Sequence, residues 1–143
     1  MSKRTSIVKA LAEKLTTIDG SGDFLTDLAG NAYSYLKFWD EVIDFPCLYM
    51  TNGTEIREYH PSGIIWGYLN VTLKIYTKGE DSSQILENVF VDVENIINSN
   101  RELVYDDAGN STTDILLTSI TTDEGLLAPY AIGEISLQIR YLV

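Results

Sequence analysis

Hydrophobic and polar residues alternate along residues 69–75, and a helical period replaces the alternation after residue 80. Every second position of the first stretch is apolar, at Leu69, Val71, Leu73 and Ile75. This period of two predicts a strand with one buried face. The second stretch has an apolar stripe at helical spacing, and Asp92 is among the polar residues that fall mostly elsewhere. The stripe consists of Ile85, Val89, Val93, Ile96 and Ile97.

The stripe predicts an amphipathic helix whose start is marked in the sequence. Asp81 is a residue type that favours the N-cap position, and Gln84 follows three residues later, as in a capping box. A second helix is predicted over residues 5–18, where the apolar positions also recur at helical spacing and Thr5 or Ser6 would cap the first turn.

Alternation elsewhere predicts the remaining strands. Residues 47–50 form a short apolar strand that Asn52-Gly53 would close as a turn. Residues 55–60 form a more polar strand, suited to an edge or a projecting arm, that pairs with residues 64–77 as an antiparallel hairpin. Residues 115–122 are apolar on both faces, which predicts a central or partly covered strand. Residues 134–143 alternate again and predict the closing strand.

These elements predict an α+β fold. Two amphipathic helices on one face of a mainly antiparallel or mixed β-sheet bury every apolar stripe in two layers. A chain of 143 residues is long enough for one real core, and no linker or repeat interrupts it, so we expect a single domain over residues 1–143.

Residues 24–45 follow neither period and concentrate aromatic side chains beside acidic ones. Two interpretations remain open for this stretch. The rings cover one edge of the core from a loop or short helix, or they form a binding surface. The rings belong to Tyr33, Tyr35, Phe38, Trp39 and Phe45.

The net charge of −11 is unevenly distributed, because residues 1–14 carry +3 and the remainder therefore −14. Such an acidic body should repel nucleic acid and anionic membranes, although it could surround DNA without gripping it. No apolar run approaches the roughly 20 residues that a membrane-spanning helix needs.

No arrangement of residues indicates catalysis, a cofactor or a metal. Cys47 is the only cysteine and His60 the only histidine, so no triad or thiolate metal site can be assembled. Gly20-Ser21-Gly22 follows a helix, which argues against a dinucleotide loop. The polar turn at residues 106–110 does not match the ligand register of a calcium-binding loop. We therefore expect a protein that is not an enzyme.

Several local signatures, together with the order of elements, resemble the bacteriophage tail terminator (tail completion, lambda-type minor tail protein) family. The resemblance covers most of residues 5–143 and consists of fold and turns without a catalytic motif. Its segments are Asp44-Phe45-Pro46 leading to Tyr49, Gly53-Thr54-Glu55, the strand at residues 69–76, the turn at residues 120–125 and the closing strand at residues 133–141.

The resemblance implies a structural virion protein that assembles with itself into a hexameric ring. In that family the ring caps the tail tube and offers the surface for head attachment. The implied partners are the tail tube protein and a head-completion or neck protein, with DNA passing through and no membrane involved. The implied location is the tail or neck of the virion, and the host cytoplasm during assembly. A neck connector or another minor tail protein of the same fold is an alternative.

We expect subunits to associate through an edge of the sheet or through the polar hairpin, with the later acidic loops as further contacts. A rival hypothesis is a small acidic adaptor that binds a protein through the aromatic stretch without forming a ring. The candidate interface residues are Glu55, Arg57, Glu58, Tyr59, His60, Asp106, Asp107, Asp123 and Glu124.

Overall fold

The computed structural model describes residues 1–143, apart from the side chain of Trp39. Two helices pack on a five-stranded sheet in the described structure. The helices are α1 (Lys3–Leu15) and α2 (Ser82–Ser99), and short 3₁₀ turns lie at Trp39–Glu41 and Pro61–Gly63. The strands are β1 (Ala32–Tyr33), β2 (Cys47–Tyr59), β3 (Ile65–Lys78), β4 (Asp114–Thr122) and β5 (Tyr130–Leu142).

The sheet order is β1-β2-β3-β5-β4. The short β1 runs parallel to β2, and all other neighbours are antiparallel, so the sheet is mixed. This arrangement confirms the predicted α+β class. The two long central strands, β3 and β5, pair along thirteen positions from Trp66↔Leu142 to Lys78↔Tyr130.

Both helices contribute to one apolar core on the same face of the sheet, as predicted. The buried residues of β3 in this core are Leu69, Val71, Leu73 and Ile75, so the predicted alternation is confirmed. From α2 the core takes Val89, Val93 and Ile97 of the predicted stripe, and also Leu86 and Phe90. In the described structure, no helix is long and apolar enough to cross a membrane.

The predicted starts of the two helices differ from the observed ones in detail. Helix α1 begins at Lys3, and its N-cap is Ser2, whose hydroxyl accepts a hydrogen bond from the Thr5 backbone N–H at 3.1 Å. The predicted caps at Thr5 or Ser6 are therefore wrong. Asp81 does occupy the N-cap position of α2, but its side chain makes no capping hydrogen bond.

Asp92 is fully buried in α2, contrary to the expectation that it falls on the polar side of the helix. Its carboxylate accepts hydrogen bonds from the backbone N–H of Leu25 at 3.0 Å and of Thr26 at 2.8 Å. The Thr26 hydroxyl donates a further bond at 2.6 Å. The carboxylate therefore fastens the connection after α1 to the middle of α2, a long-range contact that helical periodicity does not reveal.

Strand β2 runs without interruption from Cys47 to Tyr59, so the predicted turn at Asn52-Gly53 is wrong. A β-bulge between Asn52 and Glu55 takes its place, with three steps along β2 opposite two steps along β3. Asn-Gly often marks a hairpin turn, but a glycine within a strand also accommodates a bulge. Beyond the bulge, β2 pairs with β3 from Glu55↔Leu69 to Tyr59↔Ile65, which confirms the predicted hairpin.

Strand β4 lies at the edge of the sheet, not in its interior. The prediction of a central strand is therefore wrong, whereas partial cover is confirmed, because Ile115 is in the core and Leu117 packs against it. Leu116 and Ile120 are largely exposed, whereas Ile115 is buried against the core. Leu116 lies on the face opposite the helices and Ile120 on the helix face, so β4 has an uncovered apolar residue on each face.

Two glycines allow large side chains to lie directly on the sheet. A Cβ atom at Gly133 would collide with the ring of Phe90 from α2, and one at Gly67 would lie 2.7 Å from the ring of Tyr141. These close approaches let α2 and the end of β5 pack tightly against β3 and its neighbours.

Candidate assembly surfaces

The hairpin tip formed by residues 55–63, called the arm below, is exposed at every residue from 56 to 63. Tyr59 is 71% exposed and Ile56 60%. The tip is closed by the 3₁₀ turn Pro61–Gly63 and by a hydrogen bond of 2.8 Å from the His60 N–H to the Ile64 carbonyl. Tyr59 and Ile56 thus project from opposite faces of a hairpin whose turn is closed by its own hydrogen bond.

Glu55 anchors the base of the arm inside the subunit. Its side chain is only 4% exposed, and it accepts hydrogen bonds from the Tyr141 hydroxyl at 2.5 Å and from Nε of Arg57 at 2.7 Å. Arg4 Nε lies 3.8 Å from the same carboxylate, and Arg4 also donates to the Gly53 carbonyl. Burial and the bond to Glu55 raise the pKa of Tyr141 to about 12.

Glu58 and His60 meet on the surface of the arm. Nε2 of His60 lies 2.5 Å from the Glu58 carboxylate, and both side chains are about half exposed. Of the five predicted arm residues, the structure therefore joins Glu55 to Arg57 and Glu58 to His60, while Tyr59 stays open to solvent.

The predicted acidic loop residues serve first as turn residues. Asp106 accepts hydrogen bonds from the backbone and side-chain nitrogens of Asn110 at 2.9 and 2.8 Å, and these bonds lower the pKa of Asp106. Asp123 accepts a bond from the Leu127 N–H at 3.2 Å. Asp107 and Glu124, the remaining members, are exposed.

The structure does not gather the candidate residues into one surface. The pairings of β3 with β2 and β5 place the arm at the end of the sheet where β5 finishes. Asp123 and Glu124 follow the last residue of β4, which pairs near the start of β5 at the opposite end. Asp106 and Asp107 precede β4, whose first residue pairs with Arg140 at the arm's end.

The aromatic stretch covers the sheet face opposite the helices. Tyr33 stacks on Tyr49 with ring centroids 5.2 Å apart, and Phe45 lies 5.8 Å from Tyr130. With Val42, Cys47 and Tyr76, these rings build a second, smaller buried cluster. The interpretation of the rings as core cover therefore holds for Tyr33 and Phe45, and the side chain of Trp39 lies outside the described residues.

Other residues of the same stretch remain exposed and border a groove. Phe38 is 76% exposed. Phe38 lines a cavity of about 420 Å³ together with Leu36, Tyr76 and Ile132. Lys37, Glu41, Lys74 and Glu134 surround it with charge of both signs. The sequence showed the aromatic enrichment but gave no sign that the chain crosses to the other face and leaves a concavity there.

The lone cysteine is buried and the lone histidine is exposed. Cys47 is fully buried, and burial, with a contribution from Asp44, raises the pKa of its thiol to about 12. His60 is at the exposed tip with Glu58. Among the described residues, no three His, Cys, Asp or Glu side chains lie where they could hold a metal ion.

Comparison with known proteins gives consistent matches over the whole chain. A family model described as Bacteriophage Tail Tube Terminator Protein matches residues 1–143. The chain is 34% identical to the tail tube terminator protein p142 of Escherichia phage T5 over 152 residues, covering 99% of this chain and 94% of that one.

A solved structure supports the fold. A chain in the virion of the native gene transfer agent particle superposes with a TM-score of 0.62 at 11% identity, covering 99% of this chain and 100% of that chain. At this identity the match concerns the fold alone.

Proposed function

The chain belongs to the family of bacteriophage tail tube terminator proteins, and on this basis we propose that it closes the end of a phage tail tube as a hexameric ring. It is a structural protein of the virion tail. The observation that carries the proposal is the 34% identity to a tail tube terminator along 99% of the chain.

The proposed ring has the tail tube protein on one side and a head-completion or neck protein on the other. Its opening lets DNA pass without specific binding, for which the net charge of −11 is suitable. A position in the neck is the alternative within the same fold. Cross-linking mass spectrometry of a complete particle would distinguish the two positions, because either tube peptides or neck peptides would link to this chain.

We propose that the arm is the main contact between subunits. Its base is held by buried bonds to Glu55, so the tip can project without losing its position. Its exposed residues are Arg57, Glu58, Tyr59 and His60. Of these, Tyr59 and Arg57 are residue types enriched at protein interfaces. The acidic loops at Asp106, Asp107, Asp123 and Glu124 are proposed as peripheral contacts.

Mass measurement tests the ring directly. Native mass spectrometry and light scattering over a range of concentrations should give six times the single-chain mass of 16.0 kDa, either free or after addition of tail tubes. A protein that stays at the single-chain mass in both conditions would contradict the ring.

Substitution of one arm residue tests the contact without disturbing the fold. Tyr59→Ala removes a ring that is 71% exposed, and Tyr35→Ala removes one that is 55% exposed on the opposite face of the sheet. We expect Tyr59→Ala to weaken assembly at least tenfold and Tyr35→Ala to leave it unchanged. Equal assembly of both variants would exclude the arm tip as a principal contact.

A second candidate is an adaptor that binds another protein without forming a ring. The groove beside Phe38 favours it, because apolar side chains line part of a cavity of about 420 Å³, beside charged side chains of both signs. Under this hypothesis Phe38→Ala abolishes partner binding while the protein remains a monomer, so the mass measurement separates the two candidates.

The proposed role is not enzymatic. A thiol with a pKa of about 12 is almost entirely protonated at neutral pH, so Cys47 is a poor nucleophile. His60 bonds to a surface carboxylate at the arm tip, away from Cys47 and from the groove. In the described structure, Cys47 and His60 therefore do not form a pair of nucleophile and base.

A further inference from the structure

We propose that the outer edge of β4 pairs, antiparallel, with the outer edge of the arm portion of β2 in a second copy of this chain. The sheet then continues from one subunit to the next. This inference rests on the proposed ring and specifies which surfaces meet in it.

The composition of β4 favours an edge that is covered in the assembled protein. After its first residue, Asp114, strand β4 has no charged residue and no proline, although charges and prolines commonly protect a free edge. A β-bulge between Leu117 and Ser119 is the one other such feature along it. Leu116 and Ile120 are 42% and 44% exposed. In the described structure, only β5 pairs with β4, so the backbone on its other side has no strand partner.

The opposite edge of the sheet is open along the arm. Strand β1 pairs with β2 only at Leu48 and Tyr49. From Thr51 to Tyr59, β2 has no second strand beside it among the described residues. Each subunit therefore carries two different open edges, which is the requirement for a head-to-tail contact that closes into a ring.

Strand polarity makes the two edges compatible. Strands β2, β3, β5 and β4 are each antiparallel to the next, so β4 runs opposite to β2. A second copy related by rotation about an axis along the strands would thus present a β2 antiparallel to β4. Antiparallel pairing is the slightly more stable arrangement and needs no reversal of the subunit.

Charge distribution favours the same contact. Helix α1, which packs beside β1 and β2, belongs to the first fourteen residues and their net charge of +3. The ends of β4 are acidic, with Asp114, which is paired with Arg101, as its first residue and Asp123 and Glu124 after its last. Placing β4 beside the β2 edge of a neighbour brings these opposite charges towards each other.

Mixed cysteine variants test the pairing. Ile56 of the arm and Leu116, Ser119 and Thr121 of β4 all lie on the sheet face opposite the helices, as their pairing partners show. Ile56→Cys is mixed with Leu116→Cys, Ser119→Cys or Thr121→Cys carrying a mass tag, and the mixture is treated with a mild oxidant. Buried Cys47 should stay unreactive.

A disulfide between the two different variants is expected in at least one mixture. Val91→Cys, on α2 and 44% exposed, is the control and should give none with Ile56→Cys. Disulfides only between identical β4 variants would indicate pairing of two β4 edges around a twofold axis and would overturn the inference, as would the absence of any disulfide.

An edge charge provides the second measurement. Ile120→Lys should reduce the assembled mass to the single-chain mass of 16.0 kDa. The control Val91→Lys, at the same 44% exposure, should assemble normally. Circular dichroism checks that both variants are folded. If the wild type forms a ring and Ile120→Lys forms it equally well, the inference fails while the proposed function stands. If the wild type keeps the mass of one chain both alone and after addition of tail tubes, the ring itself fails.

Discussion

At the scale of single residues, the buried carboxylate of Asp92 is the sharpest test of how the subunit holds together. Asp92→Asn can keep its oxygen at the Oδ2 position, where Thr26 donates, and then its NH₂ group faces the Leu25 N–H. We expect a loss of about 1–3 kcal/mol in unfolding free energy, because the charged acceptor is removed and one donor faces another. Urea denaturation measures the loss.

The matched control is Glu94→Gln, a similar change at an exposed position of the same helix. It should alter the free energy of unfolding by less than about 0.5 kcal/mol. Equal denaturation midpoints for the two variants would mean that Asp92 does not fasten the α1 connection as described.

Tyr141 should make stability depend on alkaline pH. Its pKa is near 10 in an unfolded chain and about 12 in the folded protein. The neutral hydroxyl therefore contributes stability that is complete below pH 10 and is lost as the pH rises towards 12. Tyr141→Phe should cost about 1.5–3 kcal/mol at neutral pH, as the charged acceptor Glu55 loses a donor.

Thermal denaturation of wild type and Tyr141→Phe from pH 8 to 12 checks this behaviour. The difference between the two proteins should be constant up to about pH 10 and then narrow, because only the wild type must ionise this hydroxyl on unfolding. A difference in stability that stayed constant up to pH 12 would show that folding does not raise the pKa of Tyr141.

At the scale of elements, local periodicity was sufficient where a strand or helix has one buried face. The alternation of Leu69, Val71, Leu73 and Ile75 and the stripe on α2 depend on that single property, and both appear in the fold. Strand β4 departs from the rule, since Leu116 and Ile120, on its two faces, predicted cover that this subunit does not supply. Sheet order is a long-range property that periodicity does not contain.

Close packing of α2 on β5 depends on Gly133. Gly133→Ala should cost about 1–3 kcal/mol, because the new methyl group overlaps the Phe90 ring and α2 must shift. Gly53→Ala is the control, since its Cβ would meet only the Asn70 carbonyl at an ordinary 3.6 Å. Chemical denaturation of both variants measures the costs, and equal values would show that α2 can adjust freely.

At the scale of the whole molecule, the acidic body should keep the protein from binding DNA. With a net charge of −11, we expect no retardation of a DNA duplex in a gel assay even at about 0.05 M salt, where electrostatic binding is strongest. A basic DNA-binding protein serves as the positive control. Salt-sensitive retardation would indicate a concentrated basic surface and would argue against passive passage of DNA.

The candidate surfaces were only partly predictable, for reasons that differ between them. The arm was visible in the polar, tyrosine-bearing residues 55–60, but the burial of Glu55 depends on Arg4 and Tyr141, at the two ends of the chain. The groove depends on residues 36–41 crossing to the far face of the sheet. Neither contact leaves a local pattern in the sequence.

The bulge in β2 changes the direction of the arm without changing which faces of the sheet are buried. It inserts one extra residue between the pairs Asn52↔Val71 and Glu55↔Leu69, and bulges bend a strand and increase its twist. Deleting Gly53 would restore a regular ladder with Glu55 still opposite Leu69, so the same faces stay buried. The one extra residue therefore sets the angle at which the arm leaves the subunit. That angle in turn would set the diameter of any ring in which the arm contacts a neighbour.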